Sequence, residues 1–222
     1  MILPKERVIL IAGHYGSGKT NIAVNLAVAY AVNGIKTAIC DLDIVNPYYR
    51  TKDSSELLAS HGVKLISSPY ANSNVDLPAL PQEIYALTER RDMKAIFDIG
   101  GDDRGALALG RYAPAILEEN DYIMAYVVNF CRPLTRDARS ALQVMREIEA
   151  AGGIRFTHLI NNTNLGADSS WDTLQDSMDE YRILIRETGL ESLMICAESA
   201  VAEGHPEEGV FPLKLQKRPF EA

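Results

Sequence analysis

Eight residues near the start of the chain, Gly13-His14-Tyr15-Gly16-Ser17-Gly18-Lys19-Thr20, constrain the fold more than any other stretch. They follow the apolar run Val8–Ala12 and open an Ala/Val/Leu-rich segment over Lys19–Asn33. The pattern G-x-x-x-x-G-K-[ST] between a strand and a helix implies a loop that cradles phosphates. Its glycines let backbone N–H groups curl toward an anion. The helix behind it adds about half a positive charge at its N-terminus. Lys19 can reach β- and γ-phosphates, and the Thr20 hydroxyl can ligate Mg²⁺. All of Gly13, His14, Tyr15, Gly16, Ser17, Gly18, Lys19 and Thr20 are therefore expected at a nucleotide, with Lys19 also in a catalytic role.

A strand–loop–helix of this kind needs a sheet to sit in, and the rest of the chain supplies one. Short apolar runs at Val8–Ala12, Thr37–Asp41, Val63–Ile66, Ala95–Ile99, Tyr122–Val128, Arg155–Ile160 and Ser192–Ala197 read as strands. Several are apolar at nearly every position, as strands covered on both faces should be. Between them, Lys19–Asn33, Pro81–Arg91, Gly105–Glu118, Thr135–Ala151 and part of Trp171–Thr188 read as helices. Pro114 can split the third of these. Gly34 and Gly152 fall where C-terminal caps belong. The alternation predicts an α/β fold, a mostly parallel sheet with helices on both faces in a three-layer P-loop NTPase sandwich. A single nucleotide-binding domain over 1–222 is expected, with 201–222 as a C-terminal tail. Ser67–Pro81, with three prolines, is the most irregular segment.

Open α/β sheets bind ligands at the carboxyl ends of their strands. Two strand ends here deliver acids: Asp41-Leu42-Asp43 and Asp98-Ile99-Gly100-Gly101-Asp102-Asp103. Asp98 is the expected Walker B aspartate behind Mg²⁺, and Asp41 the expected support of the metal shell. Asp43 is the expected residue to polarise an attacking water, and the Gly101 N–H is placed for the γ-phosphate. Asp41 and Asp43 have a plain alternative as turn or helix-capping residues.

Composition narrows the function classes. The 222 residues carry a formal charge of −8, without the basic footprint of a non-specific nucleic-acid binder. Cys40, Cys131 and Cys196 are scattered singly, which argues against a local metal cluster and fits a reducing compartment. No apolar run reaches membrane-spanning length, so stable insertion is not expected and the cytoplasm is the expected location. The stretch Val210–Arg218 mixes apolar and basic residues, but Pro212 limits any amphipathic helix there, leaving a docking tail or a plain terminus.

The loop Gly13–Thr20, the Asp-Leu-Asp run at 41–43 and the Asp98–Gly101 segment together resemble the MinD/ParA-like (SIMIBI class) P-loop ATPases, also described as the CobQ/CobB/MinD/ParA nucleotide-binding domain. The resemblance covers most of residues 7–200. It implies ATP or ADP with Mg²⁺, hydrolysis assisted by Asp43, and an adenine contact from Asn161. A turn role for Asn161 stays open. Guanine readers usually end this strand with Asn-Lys-x-Asp, and Asn161-Asn162-Thr163-Asn164 lacks the lysine and the aspartate. One departure stands inside the loop. Many members carry a signature lysine that crosses to a partner's phosphates, and this chain has His14 there. Arg50, Arg104 and Arg132 are candidate substitute cations.

The resemblance implies a slow ATPase whose nucleotide state switches association with a protein partner, with a nucleotide-dependent homodimer as the second expectation. Two alternatives accompany it. One is a small-molecule kinase or ATP-dependent ligase, with an acceptor pocket built from Asn46–Arg50 and Ser67–Asn74. The other is a nucleotide-binding module with little hydrolysis.

Overall fold

The computed structural model describes residues 3–43, 50–67, 82–101, 103–206 and 209–216. Eight strands form one sheet: β1 (Val8–Ala12), β2 (Thr37–Leu42), β3 (Lys64–Ser67), β4 (Lys94–Ile99), β5 (Tyr122–Val128), β6 (His158–Asn161), β7 (Glu191–Glu198) and β8 (Phe211–Leu213). Their order is β3-β2-β4-β1-β5-β6-β7-β8, and every described pairing is parallel. Helices cover both faces, as expected for parallel strands. The helices are α1 (Lys19–Val32), α2 (Ser55–Ser60), α3 (Gln82–Glu89), α4 (Asp103–Gly110), α5 (Ala113–Glu119), α6 (Ala138–Gly152), α7 (Trp171–Asp176), α8 (Met178–Thr188) and α9 (Ser199–Glu203).

Strand periodicity sorts the core into two layers. Val8, Leu10 and Ala12 face one way, packing with Leu109 of α4, Ile116 of α5, Met145 of α6 and Leu184 of α8. Ile9 and Ile11 face the other way, toward Ile22, Leu26 and Tyr30 of α1 and toward Leu58 of α2. Ile39 of β2 and Ile96 of β4 share that second face. Two residues further along those strands stand Asp41 and Asp98, directly paired in the ladder. The same alternation that buries Ile39 and Ile96 under α1 thus delivers both carboxylates to the α1 side of the sheet edge.

Several expected boundaries shift for identifiable reasons. Pro114 does divide the predicted third helix, sitting in the first turn of α5 where its missing N–H has no partner to lose. The predicted start at Thr135 becomes a 3-10 turn over Pro133–Thr135, and α6 begins at Ala138 because Asp137 caps it, accepting from Ser140 N at 2.8 Å. Gly34, at φ +76, follows α1 as expected, whereas α6 is closed by Gly153 at φ +67, and Gly152 lies inside the helix. The helical stretch within Trp171–Thr188 is two helices broken at Ser177.

The largest difference lies near the C-terminus. Residues 211–216, within the expected tail 201–222, carry a strand that the sequence pattern does not predict. Phe211–Leu213 pairs with β7 as the edge strand, where Pro212 removes no ladder bond from a central position. Phe211 and Leu213 are buried in the α1-side core. Beyond them the Lys214 N–H donates to Asn25 Oδ1 at 3.0 Å, Asn25 Nδ2 returns to Lys214 O at 3.0 Å, and the Gln216 N–H donates to Asn21 Oδ1 at 3.0 Å. The segment therefore lies along the flank of α1.

Candidate nucleotide site

The loop 13–20 rises from the carboxyl end of β1, the central strand, which is flanked by β4 and β5. Its glycines are required by their surroundings. At Gly18, φ is +88 and an added Cβ would collide with Asn162 Nδ2. At Gly13 an added Cβ would strike the Val127 carbonyl. Gly18 is also the N-cap of α1, and no side chain caps the helix there. The first-turn N–H groups of a 14-residue helix are thus presented at the loop, an arrangement suited to an anion.

Lys19 is 5% exposed, and its Nζ donates to His14 O at 3.2 Å across the loop. Gly101, just past β4, packs against the same place: a Cβ there would lie 2.6 Å from Tyr15 N and 2.9 Å from Lys19 Nζ. The absence of a side chain at 101 keeps the space beside the ammonium open for phosphate oxygens. The Ser17 hydroxyl is buried and has no hydrogen-bond partner among the described residues, so it too has capacity for a ligand.

Behind the loop stand the acids. Asp98 is fully buried, and its Oδ2 accepts from Thr20 Oγ1 at 2.7 Å and from Thr51 Oγ1 at 2.8 Å. Its Oδ1 is buried with no hydrogen-bond partner among the described residues. Burial pushes the Asp98 carboxyl up to about 6, against the pull of the Lys19 charge and the two hydroxyl donors. Asp41, 1% exposed, rises to about 7, first through burial and next through the neighbouring Asp98 charge, with Arg50 opposing. The Asp41 Oδ1 accepts from the Asp43 N–H at 3.0 Å, which fixes the backbone of the residue expected to orient water. Asp43 is itself 6% exposed.

Three carboxylates therefore share this pocket with two cationic side chains, Lys19 and Arg50. Among the described residues no group of three or more His, Cys, Asp or Glu could hold a metal ion unaided. The donor set instead suits a hard cation completed by phosphate and water: a hydroxyl from Thr20, the Asp98 carboxylate behind it, and negative charge left to compensate.

The candidate cations have separate fates. Arg50 is 2% exposed, with Nε 3.6 Å from Asp41 Oδ2 and its guanidinium donating to Asp43 O, so it braces the acidic strand end from inside. Arg132 lies over the loop, where its Nε donates to Gly16 O at 2.9 Å. The side chain of Arg104 lies outside the described residues, as do residues 46–49 and 68–74 of the expected acceptor pocket. His14 Nδ1 sits 3.0 Å from Tyr15 O, a local contact within the loop.

Asn161, the adenine contact that the resemblance implies, lies at the carboxyl end of β6. It is fully buried, its Nδ2 donating to Ser177 Oγ at 2.9 Å and its Oδ1 accepting from Thr163 N and Thr163 Oγ1 at 3.0 and 2.7 Å. These bonds commit its side chain to holding the β6 loop against the start of α8. Asn162 next to it reaches the phosphate loop, its Nδ2 donating to Ser17 O at 2.7 Å. Its Oδ1 is buried with no hydrogen-bond partner among the described residues. The bond from Asn162 to the loop carried no sequence signal of its own, since Asn162 stands in a run of similar side chains. Thr51 was missed as well, since a lone threonine eight residues beyond Asp43 carries no motif.

Comparison with known proteins agrees with this geometry. The family described as CobQ/CobB/MinD/ParA nucleotide binding domain matches residues 8–168. No curated protein matches the sequence. Among solved structures, the cell division protein FtsY of Thermotoga maritima superposes with a TM-score of 0.58 at 15% identity, covering 87% of this chain and 62% of its own. The signal recognition particle 54 kDa protein of Aeropyrum pernix K1, solved with GDP, gives 0.55 at 19% identity over 87% of this chain and 41% of its own. The chain thus spans about three fifths of that FtsY and about two fifths of that 54 kDa protein, and at these identities the likeness speaks for the fold. The phosphate loop, the paired strand-end aspartates and the family match over most of the sheet together identify the chain as a SIMIBI-class P-loop protein that belongs to the CobQ/CobB/MinD/ParA nucleotide-binding domain family.

Proposed function

We propose that this chain binds Mg²⁺–ATP at the loop 13–20, hydrolyses it slowly, and uses its nucleotide state to switch association with a protein partner in the cytoplasm. The observation that carries the reading is the joint between loop and acid: Thr20 Oγ1 on Asp98 Oδ2 at 2.7 Å, beside a buried Lys19. Lys19 would pair with the terminal phosphates, Thr20 would ligate Mg²⁺ with Asp98 holding its hydroxyl, and Asp43 would orient the attacking water. Bound Mg²⁺ supplies neutralisation of the charge that develops on the leaving phosphates. The order of these groups from loop to strand end follows the needs of phosphoryl transfer.

Slow turnover fits His14 in place of the signature lysine. ATP over GTP rests on Asn161–Asn164, which lacks the lysine and aspartate of guanine readers. Partner binding has support in the exposed apolar side chains of three loops at this edge: Tyr15 at 57%, Leu134 at 59% and Leu165 at 50%. Among the described residues no helix is long and apolar enough to cross a membrane.

The test is calorimetric titration of the purified protein with ATP and GTP, each with Mg²⁺ and with EDTA. Lys19→Ala should weaken ATP binding by about a hundredfold, the worth of one or two charge-assisted hydrogen bonds. Size-exclusion profiles in ATP and in ADP should differ. Unchanged ATP affinity in Lys19→Ala sinks the site, and preferred GTP binding sinks the base assignment.

A further inference from the structure

Two hydroxyl groups from different elements converge on one carboxylate oxygen. Thr20, in the first turn of α1, and Thr51, at the start of the 3-10 turn Thr51–Ser54, both donate to Asp98 Oδ2, at 2.7 and 2.8 Å. Asp98 and Thr51 are fully buried. A hydroxyl that spends its proton on a carboxylate keeps its lone pairs for an acceptor role. Here two such oxygens lie around one anionic atom, in a pocket where three carboxylates face two cationic side chains. Hydroxyl oxygens backed by a carboxylate form a donor set for a hard divalent cation.

The turn that carries Thr51 is held in place from several sides. Asp53 Oδ2 accepts from the Arg50 N–H at 2.9 Å, closing the turn. The Arg50 guanidinium is pinned on Asp41 and on the Asp43 carbonyl. Gln216 Nε2 donates to Arg50 O at 3.1 Å and to Ser54 Oγ at 2.7 Å, while the Gln216 N–H donates to Asn21 next to Thr20. One glutamine thus staples together the two elements that carry the two hydroxyls. A threonine that only quieted a buried carboxylate would not need its turn fixed relative to α1.

We propose that Thr51 is a second hydroxyl ligand of the Mg²⁺ held by Thr20, with Asp98 orienting both and Gln216 setting their separation. The proposal rests on the Mg²⁺–nucleotide reading above, and its test separates the two. A fluorescent ADP analogue is titrated into wild type, Thr51→Val, Thr51→Ser and Thr20→Val at a series of Mg²⁺ concentrations and in EDTA. Mn²⁺ binding to the ADP complex is followed in parallel by electron paramagnetic resonance.

Thr51→Val should need about tenfold more Mg²⁺ or Mn²⁺ to tighten ADP, with its EDTA affinity unchanged. Thr51→Ser should restore the wild-type requirement. Gln216→Ala should shift the requirement in the same direction by a smaller factor. Thermal unfolding checks that each variant folds, and Thr51→Ala takes the place of Thr51→Val should the valine not pack. A wild-type metal requirement in the folded Thr51 variant, alongside a raised one in Thr20→Val, overturns the proposal and leaves the nucleotide site standing. Equal weakening with and without metal overturns it too, since that marks a purely structural bond. Failure of wild type to bind ADP at all sinks the underlying reading instead.

Discussion

Replacing Asp98 by asparagine should remove the pH dependence that burial imposes on this acid. The amide keeps an oxygen for Thr20 and Thr51 but cannot ionise. Burial raises the Asp98 carboxyl from 3.8 to about 6 in the folded chain. An acid whose folded pKa lies above its unfolded one holds its proton longer when folded. Its stabilising effect is complete below about pH 4 and is lost as pH rises through about 6. The full loss is about 3 kcal/mol at 1.36 kcal/mol per pKa unit, and about 2 kcal/mol of it falls between pH 4.5 and pH 7. Against this stands a pH-independent cost. The new NH₂ occupies the place of Oδ1, which has no partner among the described residues, and an unsatisfied buried donor costs about 1–2 kcal/mol. Without nucleotide, Asp98→Asn should therefore lag wild type at pH 4.5 and gain about 2 kcal/mol on it by pH 7. Losing the Asp98 charge also removes part of what raises Asp41, which acts in the same direction. Urea unfolding of both proteins at the two pH values measures the gap. A difference between the two proteins that stays constant, or that shifts further in favour of wild type toward neutral pH, refutes the reasoning. The same variant should lose Mg²⁺-dependent tightening of ADP, the cost of a site stabilised by removing its charge.

Three further outcomes follow from particular contacts. Gly18→Ala should cost about 2 kcal/mol or more and abolish ATP binding, since its Cβ meets Asn162 and its φ is +88; calorimetry and thermal unfolding read both. Arg132→Ala should slow ATP hydrolysis while leaving ADP affinity within about threefold, if its guanidinium serves the phosphates from over Gly16; an unchanged turnover rate removes Arg132 from the reaction. Arg7→Ala should destabilise by about 3–5 kcal/mol far from the site, because it strands the nearly buried Glu119 carboxylate, whose pKa Arg7 depresses; urea unfolding at pH 7 checks it.

The strength of the sequence signal followed the locality of the physics. The loop 13–20 and strands β1 and β5 were legible because their residues are dictated by backbone conformation or by burial on both faces. Asp41 and Asp98 were legible because a carboxylate at the end of an apolar strand has few other uses. Arg50 was visible as a cation near the sheet edge, but its inward turn onto Asp41 depends on tertiary packing. Asn161 and Asn162 differ only in which face of the sheet edge they meet, a distinction set by the neighbouring strand. β8 escaped notice because a three-residue edge strand containing proline contradicts every local strand preference and is held by its neighbours.

The last described segment also bears on how such a chain is made. Asn25 and Asn21 of α1 find their partners in Lys214 and Gln216, 189 and 195 positions later. Phe211 and Leu213 complete the apolar layer around the same helix. On a ribosome the phosphate loop emerges well before residues 211–216, and the flank of its helix and the turn beside it close only when that segment arrives. Contacts this distant along the chain are slow to form and leave apolar surface uncovered in the meantime. The nucleotide loop is thus synthesised long before the segment that finishes its surroundings.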